Sequence, residues 1–265
     1  MKRHLRLLDH AVETLVHCPV KTVVIVSVYS LLVATVVSVV LYVDAHRQEA
    51  RALLASAPEL VVQRVRGGRH ELMPLDRGAA VADIIGVAAV KPRVWGYAYD
   101  TPTRTTLTLW GAESVPDEVV SISDGELLDS AAGGSCVVGR GVADARFIGV
   151  GERLPFRCAD GELVAPRIRG VFSTESAKLT NDLVVMPTVT VRRIFGVGEE
   201  LCTDLAVRVH NPREIDTIAR KVQELWPDTR TVTRRQILQT YDAVFDWRGG
   251  IWIVAIGGAI AAFSI

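Results

Sequence analysis

The sequence is short of the features that mark several common classes of protein. Its 265 residues carry 30 basic and 30 acidic side chains, so the basic excess typical of a nucleic-acid-binding protein is missing. With only 4 cysteines, 11 prolines and 21 glycines, a disulfide scaffold, a collagen-like chain and a low-complexity chain are excluded. What remains is a globular or membrane-bound chain without nucleic acid as a partner.

Motifs that carry catalysis or hold cofactors are also missing. The sequence contains no G-x-x-x-x-G-K-[ST], H-E-x-x-H, G-x-S-x-G or C-x-x-C pattern, so it gives no sign of a P-loop, a zinc protease, a serine hydrolase or a thioredoxin-like site. The N-terminal residues His4, His10, His17 and Cys18 have the spacing of no known metal-ligand set. We therefore expect no enzyme activity, no metal and no cofactor in this chain.

Apolar residues are concentrated in two blocks. The chain is 49% apolar and 23% charged with a mean hydropathy of +0.26, which indicates segregation of the two residue classes. Thr22 to Val43 is a run of 22 residues without a charge, about 33 Å long as a helix and enough to cross a bilayer. A cleaved signal peptide is the alternative, but the apolar core is longer than the roughly 7–15 residues usual for one. The second block, Gly249 to Ile265, reaches about 25 Å before the chain stops, and we expect it to be an incomplete second span of a longer architecture.

The N-terminal flank sets the expected orientation. Residues 1–21 hold four basic and two acidic side chains, and such a flank favours a cytoplasmic N-terminus. The same segment repeats apolar residues at three- and four-residue spacing, which predicts an amphipathic helix on the inner membrane face; a disordered basic leader is the alternative. Residues 44–248 are then expected on the outer side of the membrane.

Small residues recur four apart in both blocks. They are Ser30, Ala34 and Ser38 in the first block, and Gly257 with Ala261 and Gly258 with Ala262 in the second. This spacing places small side chains on one helix face and lets another helix approach closely. For the first block, chance in a run that contains Ser and Ala explains the spacing equally well.

Residues 44–248 predict an α+β domain. Residues 44–57 continue the first helix until Pro58 ends it. The region then begins and ends with a strand, a helix and a strand: strands at 59–66 and 86–99 around a helix at 76–85, and strands at 204–210 and 229–233 around a helix that starts after the cap Asn211. Arg234 starts a helix that runs toward the second block. Two such units can form one split β-α-β sheet.

A β-rich insert is expected between these units, at about residues 113–196. Its predicted elements are a strand at 137–139 leading into a helix at 140–147, a hairpin of 152–157 with 163–172, a strand at 183–186 and a helix at 188–195. Turn residues Ala159-Asp160-Gly161-Glu162 carry the hairpin signal.

Three groups of residues leave alternatives open. The basic cluster Arg64, Arg66, Arg69 and His70 is favoured as a solvated strand face over a contact for lipid head groups or an acidic partner. The aromatic residues Trp95, Tyr97, Tyr99 and Trp110 are favoured as core or sheet-face packing over the lining of a groove. Among Cys136, Cys158 and Cys202, one disulfide is expected in an oxidising compartment, with the pairing undetermined.

Five short motifs follow one another in this region. They are Gly125-Glu126-Leu127-Leu128, Val137-Val138-Gly139, Gly149-Val150-Gly151-Glu152-Arg153-Leu154, Ile168-Arg169-Gly170-Val171-Phe172 and Asp182-Leu183-Val184-Val185-Met186-Pro187. In their sequence and order they resemble the FtsX/MacB-like superfamily of ABC transporter permeases. The resemblance covers essentially the whole chain, including the helix–span–domain–span layout. Family members carry four spans, whereas this chain stops in its second.

The resemblance implies a fold and a role. The fold is a periplasmic porter-like split β-α-β domain with an inserted β-rich subdomain, flanked by two transmembrane helices in a bacterial inner membrane. The role is that of a membrane subunit that couples ATP hydrolysis by a separate ATP-binding ABC subunit to a change of shape outside, for export or lipoprotein extraction. Implied partners are a second permease subunit, as a homodimer or heterodimer, and a periplasmic adaptor or lipoprotein. The alternative is a two-span sensor whose outer domain binds a ligand and whose signalling module lies beyond residue 265.

Overall fold

A computed structural model of the chain describes residues 19–55, 57–112, 122–128, 134–173 and 181–244. The described residues divide into a helical unit, up to Ala52 and from Leu238 onward, and an α+β unit, Leu53 to Ile237. The predicted N-terminal amphipathic helix lies almost entirely outside the described residues, and the predicted second span, Gly249 to Ile265, lies wholly outside them.

Helix α1 (Pro19–Ala55) is the long apolar helix that the charge-free run predicts. Within it, Thr22–Glu49 is long and apolar enough to cross a membrane, with a mean hydropathy of 2.6 and no buried residues in its most apolar stretch. A lipid bilayer is a surrounding in which such an uncovered apolar stretch is stable as a helix. Thr22–Glu49 is the single candidate span in the described part of the chain, and the second expected span stays a prediction.

The α+β unit contains fourteen strands and four further helices within the described residues, with a last helix leaving it. The strands are β1 (Leu60–Arg66), β2 (Arg69–Glu71), β3 (Met73–Pro74), β4 (Val87–Asp100), β5 (Thr105–Gly111), β6 (Ile122–Gly125), β7 (Ser135–Gly139), β8 (Phe156–Arg157), β9 (Leu163–Val164), β10 (Arg167–Phe172), β11 (Leu183–Met186), β12 (Leu201–Cys202), β13 (Asp204–Val209) and β14 (Thr229–Thr233). The helices are α2 (Asp76–Ala82), α3 (Arg140–Arg146), α4 (Thr188–Phe195), α5 (Ile215–Leu225) and α6 (Arg234–Val244).

One ten-stranded sheet runs through the unit in the order β14-β1-β13-β4-β5-β11-β7-β10-β6, with β2 paired to β1. The first four strands are antiparallel neighbours that come from β1-α2-β4 and β13-α5-β14. This interleaved order is the split β-α-β arrangement that the sequence predicts. Asn211 caps the turn into α5 as expected, because its side chain accepts a hydrogen bond from the Arg213 N–H at 3.1 Å.

Strands β5, β6, β7, β10 and β11 continue the same sheet rather than forming a sheet of their own, whereas β8 with β9 and β3 with β12 form separate two-stranded sheets. Strands β7 and β11 are buried at every position, because apolar residues cover both of their faces: Val138 and Val184 belong to the main core, and Val137 and Val185 to a second cluster. A strand covered on both faces reads as a continuous apolar run.

The predicted hairpin of residues 152–157 and 163–172 is only partly right. Strand β8 pairs with β9, and residues 151–154 lie antiparallel to 166–168, with an Arg153–Arg167 bridge and a hydrogen bond from the Leu154 N–H to the Pro166 carbonyl at 3.0 Å. The hairpin stops there, because β10 pairs with β7 and β6 instead. Pro166 separates β9 from β10, and a proline cannot donate to a strand ladder. The expected disulfide is wrong: Cys136, Cys158 and Cys202 are all free and buried, because they lie on elements that do not pair with one another.

Candidate functional site

Strand β4 changes its pairing partner half-way along. Residues 87–93 pair with β13, whereas residues 94–100 pair with β5. At the change-over, Arg93 forms a bidentate ion pair with Asp204 at 2.5 and 2.7 Å. Asp204 also accepts a hydrogen bond from the Trp95 indole N–H at 3.0 Å, and the Arg93 guanidinium lies 5.3 Å from the Trp110 ring. The Asp204 side chain is only 1% exposed, so this network fixes the two halves of the sheet to each other.

Beyond the change-over, β4 borders two cavities that share Tyr97 and Phe195, which we call together the β4 groove. The larger, of about 510 Å³, is lined by residues that include Tyr99, Phe156, Arg157, Leu163 and Ile194. The smaller, of about 410 Å³, is lined by residues that include His70, Leu72, Trp95 and Val197. Both volumes lie in the range of small-ligand and peptide-binding clefts.

Two of the four aromatic residues are exposed, which excludes a core position for them but agrees with packing on the face of the sheet. Tyr97 and Tyr99 are 65% and 66% exposed, so they are not core residues. Trp95 and Trp110 are half-buried, and Trp95 packs edge-on against Tyr97 with ring centroids 5.4 Å apart. The two tyrosines therefore lie on the surface of the sheet, where both also line the groove.

A close approach of helix α4 forms the wall common to both cavities. Gly96 lies under the Phe195 ring, and a Cβ atom at this position would lie 2.8 Å from two of the ring carbons. A side chain at position 96 would therefore displace the ring. Only glycine lets the last residue of α4 pack directly on the strand.

A buried ion pair closes the far end of the larger cavity. Arg146, at the end of α3, donates to both carboxylate oxygens of Asp100, the Nε contact being 2.9 Å. Burial by itself raises the pKa of Asp100, but hydrogen bonds from Arg146 and Thr103 outweigh it and hold the pKa below its usual value. Thr103 donates through its hydroxyl at 2.5 Å. Because this carboxylate is saturated by its own neighbours, it serves structure rather than proton transfer.

A second feature ties the two chain connections of the α+β unit together. The Arg234 N–H donates to the Glu59 carbonyl at 3.0 Å, and its guanidinium binds the Glu59 carboxylate at 3.0 Å and the Ala57 carbonyl. Arg234 directly follows β14, and Glu59 directly precedes β1, and these strands are neighbours in the sheet. We call this contact the Arg234 clasp. No sequence motif indicates it.

Of the small residues singled out in the sequence, the structure describes only those of the first block. Ser30, Ala34 and Ser38 are exposed on α1, on the face opposite the partly covered side chains Leu32 and Val36. Gly257, Gly258, Ala261 and Ala262 lie outside the described residues.

The basic cluster splits in two. Arg64 is half-buried and binds Asp228 at 2.9 Å, together with Arg77; these hydrogen bonds, Arg77 first, lower the pKa of Asp228 against the effect of burial. Arg66, Arg69 and His70 are exposed, as a solvated face requires. Among the described residues no group of three or more His, Cys, Asp or Glu side chains is arranged to hold a metal ion.

Comparison with known proteins identifies the domain. A model of the MacB-like periplasmic core domain family matches residues 22–225. No protein among those of curated function matches the chain significantly. Among solved structures, the periplasmic region of MacB from Actinobacillus actinomycetemcomitans is similar at 14% identity and a TM-score of 0.48, covering 69% of this chain and 92% of that one. The extracellular domain of the noncanonic ABC-type transporter YknZ from Gram-positive bacteria is similar at 12% identity and a TM-score of 0.43, covering 66% of this chain and 99% of that one.

The family match extends over more than half of the chain and takes in both the apolar helix and the α+β unit. An N-terminal apolar helix joined to a domain of periplasmic type is the layout of a membrane protein with an extracytoplasmic domain. The chain therefore belongs to the MacB/FtsX-like family of ABC transporter permeases, as a carrier of the MacB-like periplasmic core domain.

Proposed function

We propose that this chain is the membrane subunit of an ABC transporter of the FtsX/MacB type. In this proposal a separate ATPase subunit closes on ATP in the cytoplasm, the membrane helices shift, and the extracytoplasmic domain changes shape to drive export or lipoprotein extraction. The N-terminus lies in the cytoplasm of a bacterium and the domain lies in the periplasm, outside the inner membrane.

The Arg234 clasp is the observation that carries the coupling step. Helix α6 begins at the residue after β14, so no flexible linker separates this helix from the sheet. On the other side, only residues 56–59 separate α1 from β1. A displacement of either helix therefore acts on two paired strands that are also held by the ion pair between Arg234 and Glu59.

The coupling is tested by measuring a distance across the domain as ATP is added. Spin labels at Asp144→Cys on α3 and Glu224→Cys on α5 report on the two halves of the sheet, since both positions are exposed. The full chain is purified with the P-loop ATPase that accompanies it and is reconstituted into nanodiscs. We expect the distance distribution to shift with ATP, and the shift to shrink in Arg234→Gln.

Arg235→Gln is the matched control. Arg235 neighbours the clasp but binds Asp216 in a pair whose side chains are 68% and 60% exposed, and such pairs contribute little. The control should keep the wild-type response. If Arg234→Gln and Arg235→Gln show the same shift with ATP, the clasp has no role in the coupling. If no ATPase is associated with the chain, the transporter proposal is rejected.

The second permease subunit is proposed to pack on the small-residue face of α1. Ser30, Ala34 and Ser38 are uncovered there, and small side chains let helices approach closely in a membrane. Ala34→Ile should reduce cross-linking of the full chain to its partner subunit in the membrane. The control is Val39→Leu, at an exposed position of another face, and it should leave cross-linking unchanged.

The sensor alternative predicts different results in the same material. A kinase, cyclase or methyl-accepting module would follow residue 265, and the distance across the domain would respond to an extracytoplasmic ligand rather than to ATP. Two further spans beyond residue 265 would exclude it.

A further inference from the structure

The second half of β4 has one strand edge that no described strand covers. The Thr108 N–H donates to the Asp182 carbonyl at 2.8 Å, so the backbone N–H and C=O groups of Thr108 face β11. Those of its neighbours Leu107 and Leu109 face β4. Their partners across the ladder are Ala98 and Gly96. Successive residues of a strand direct their backbone groups to alternate edges. The N–H and C=O groups of Tyr97 and Tyr99 therefore face the edge of β4 that lies away from β5.

That other edge is the one β13 occupies earlier in the strand. The Trp95 N–H donates to the Thr203 hydroxyl at 3.1 Å, and the same hydroxyl donates back to the Trp95 carbonyl at 2.9 Å. Thr203 thus ends the β13 pairing. The sheet order gives β4 only β13 and β5 as neighbours, so in the described part of the chain the N–H and C=O groups of Tyr97 and Tyr99 are left without a strand partner.

The two open edges of β4 differ in how they are protected. Along residues 87–93, the Arg93 carbonyl accepts a hydrogen bond from the Thr203 N–H on the β13 side at 2.8 Å, so the neighbouring Pro92 lies on the edge away from β13. Proline has no N–H to donate and prevents another strand from pairing at an edge. From Trp95 to Tyr99 no proline occurs. The unprotected edge borders the β4 groove, which provides room for an added chain.

The walls of the groove define what such a chain should carry. Apolar surface comes from Phe156, Leu163, which is 69% exposed, and Phe195. Arg157 is exposed at the wall of the larger cavity, and within the described residues its guanidinium binds no carboxylate. An incoming segment therefore finds backbone partners on one side, apolar contacts for alternate side chains, and a cation for an acidic side chain.

We propose that the edge of β4 from Gly96 to Asp100 binds an extended segment of a partner protein by strand addition, with apolar side chains in the β4 groove and an acidic side chain at Arg157. In strand addition the main-chain hydrogen bonds supply affinity and the pockets for alternate side chains supply specificity. This inference does not depend on coupling to an ATPase, and it is tested without nucleotide.

The probe is the peptide Glu-Thr-Val-Thr-Val-Thr-amide with fluorescein on its N-terminal amine, titrated with the full chain in nanodiscs and followed by fluorescence polarisation. Two variants of the peptide separate the contributions. Two methylated peptides are compared, one with N-methyl groups at the odd residues and one with them at the even residues, so that each lacks the N–H donors of one edge. The peptide that lacks the donors facing β4 should bind at least about tenfold more weakly, the effect of losing two hydrogen bonds. The other peptide should lose less affinity. Replacing Glu by Gln should weaken binding about threefold.

Variants of the protein test the same two contacts. Tyr97→Pro removes the N–H on the open edge while leaving the ladder to β5 intact, and should weaken binding about tenfold. Tyr97→Val keeps that N–H and is its control. Arg157→Gln should abolish the preference for Glu over Gln in the peptide, whereas Arg220→Gln, at an exposed site on α5, should preserve it.

Several results would overturn the proposal. Failure of the peptide to bind, or equal binding of both methylated peptides and the parent, would exclude strand addition. Binding of naphthalene-2-carboxylate without binding of the peptide would make the groove a small-anion site. A loss of self-association in Tyr97→Pro would make the edge an interface between two copies of the chain. If Tyr97→Pro fails to fold, the methylated peptides on the unmodified chain still decide the matter.

Discussion

Replacing Gly96 by alanine should destabilise the domain and distort the β4 groove. The added Cβ would lie 2.8 Å from the Cε2 and Cζ atoms of Phe195 and 3.1 Å from Cε1, whereas carbon atoms in favourable contact are about 3.5–4.0 Å apart. The ring must therefore move by roughly 0.5–1 Å, and overpacking of this kind costs about 1–3 kcal/mol. For a domain of this size, that corresponds to a melting temperature lower by about 2–12 °C.

Thermal unfolding of the full chain in nanodiscs, followed by near-ultraviolet circular dichroism, measures this effect. The matched control is Gly149→Ala, because a Cβ atom there would have nothing within 4 Å and its melting temperature should stay the same or rise slightly. Adding Phe195→Leu to Gly96→Ala should recover part of the loss. If Gly96→Ala melts like Gly149→Ala, the close packing of Phe195 on β4 is not a constraint and the reasoning fails.

Three further predictions follow from the buried charges and thiols. Asp204→Asn leaves the Arg93 guanidinium without its carboxylate and should lower the free energy of unfolding by about 3–5 kcal/mol, measured by urea denaturation; a loss below about 1 kcal/mol would contradict it. The folded-state pKa of Asp100 lies below its ordinary value, so its ion pair stabilises the fold at pH values above the ordinary pKa, and this stability is lost as the pH falls through the folded-state pKa. Asp100→Asn should therefore make the melting temperature depend less on pH below about pH 5. An unchanged pH dependence of the melting temperature in that range would refute this. Burial raises the pKa of Cys136 to about 12 and that of Cys202 to about 11, so at pH 8 iodoacetamide should modify both only after denaturation, as read by mass spectrometry, and a disulfide-linked mass would overturn the assignment.

Local patterns were sufficient to predict most of the helices and strands. Alternation marks β1 and β13, and the Asn211-Pro212 cap marks the start of α5, because these signals act between residues that are close in sequence. The pairing of the two β-α-β units follows from the small number of ways in which such units can share a sheet.

The candidate site could not be predicted in the same way. The open edge depends on where β13 stops, which Thr203 determines by binding Trp95. The contact of Phe195 with Gly96 joins residues far apart in sequence. Aromatic residues in a strand usually indicate burial, and the exposure of Tyr97 and Tyr99 becomes visible only once the neighbour on that side is known to be absent from the described sheet.

The clasp between Arg234 and Glu59 has a consequence for how the domain can be exchanged between proteins. Its chain leaves and returns through neighbouring strands, and such strands lie about 4.8 Å apart. A domain whose ends are this close can be inserted into another chain without disturbing what lies on either side. The α+β unit is thus built as an insertable domain: excision between Ala57 and Arg234, closed by a few residues, should leave α1 and α6 joined by a short turn. A different domain with adjacent ends could take its place.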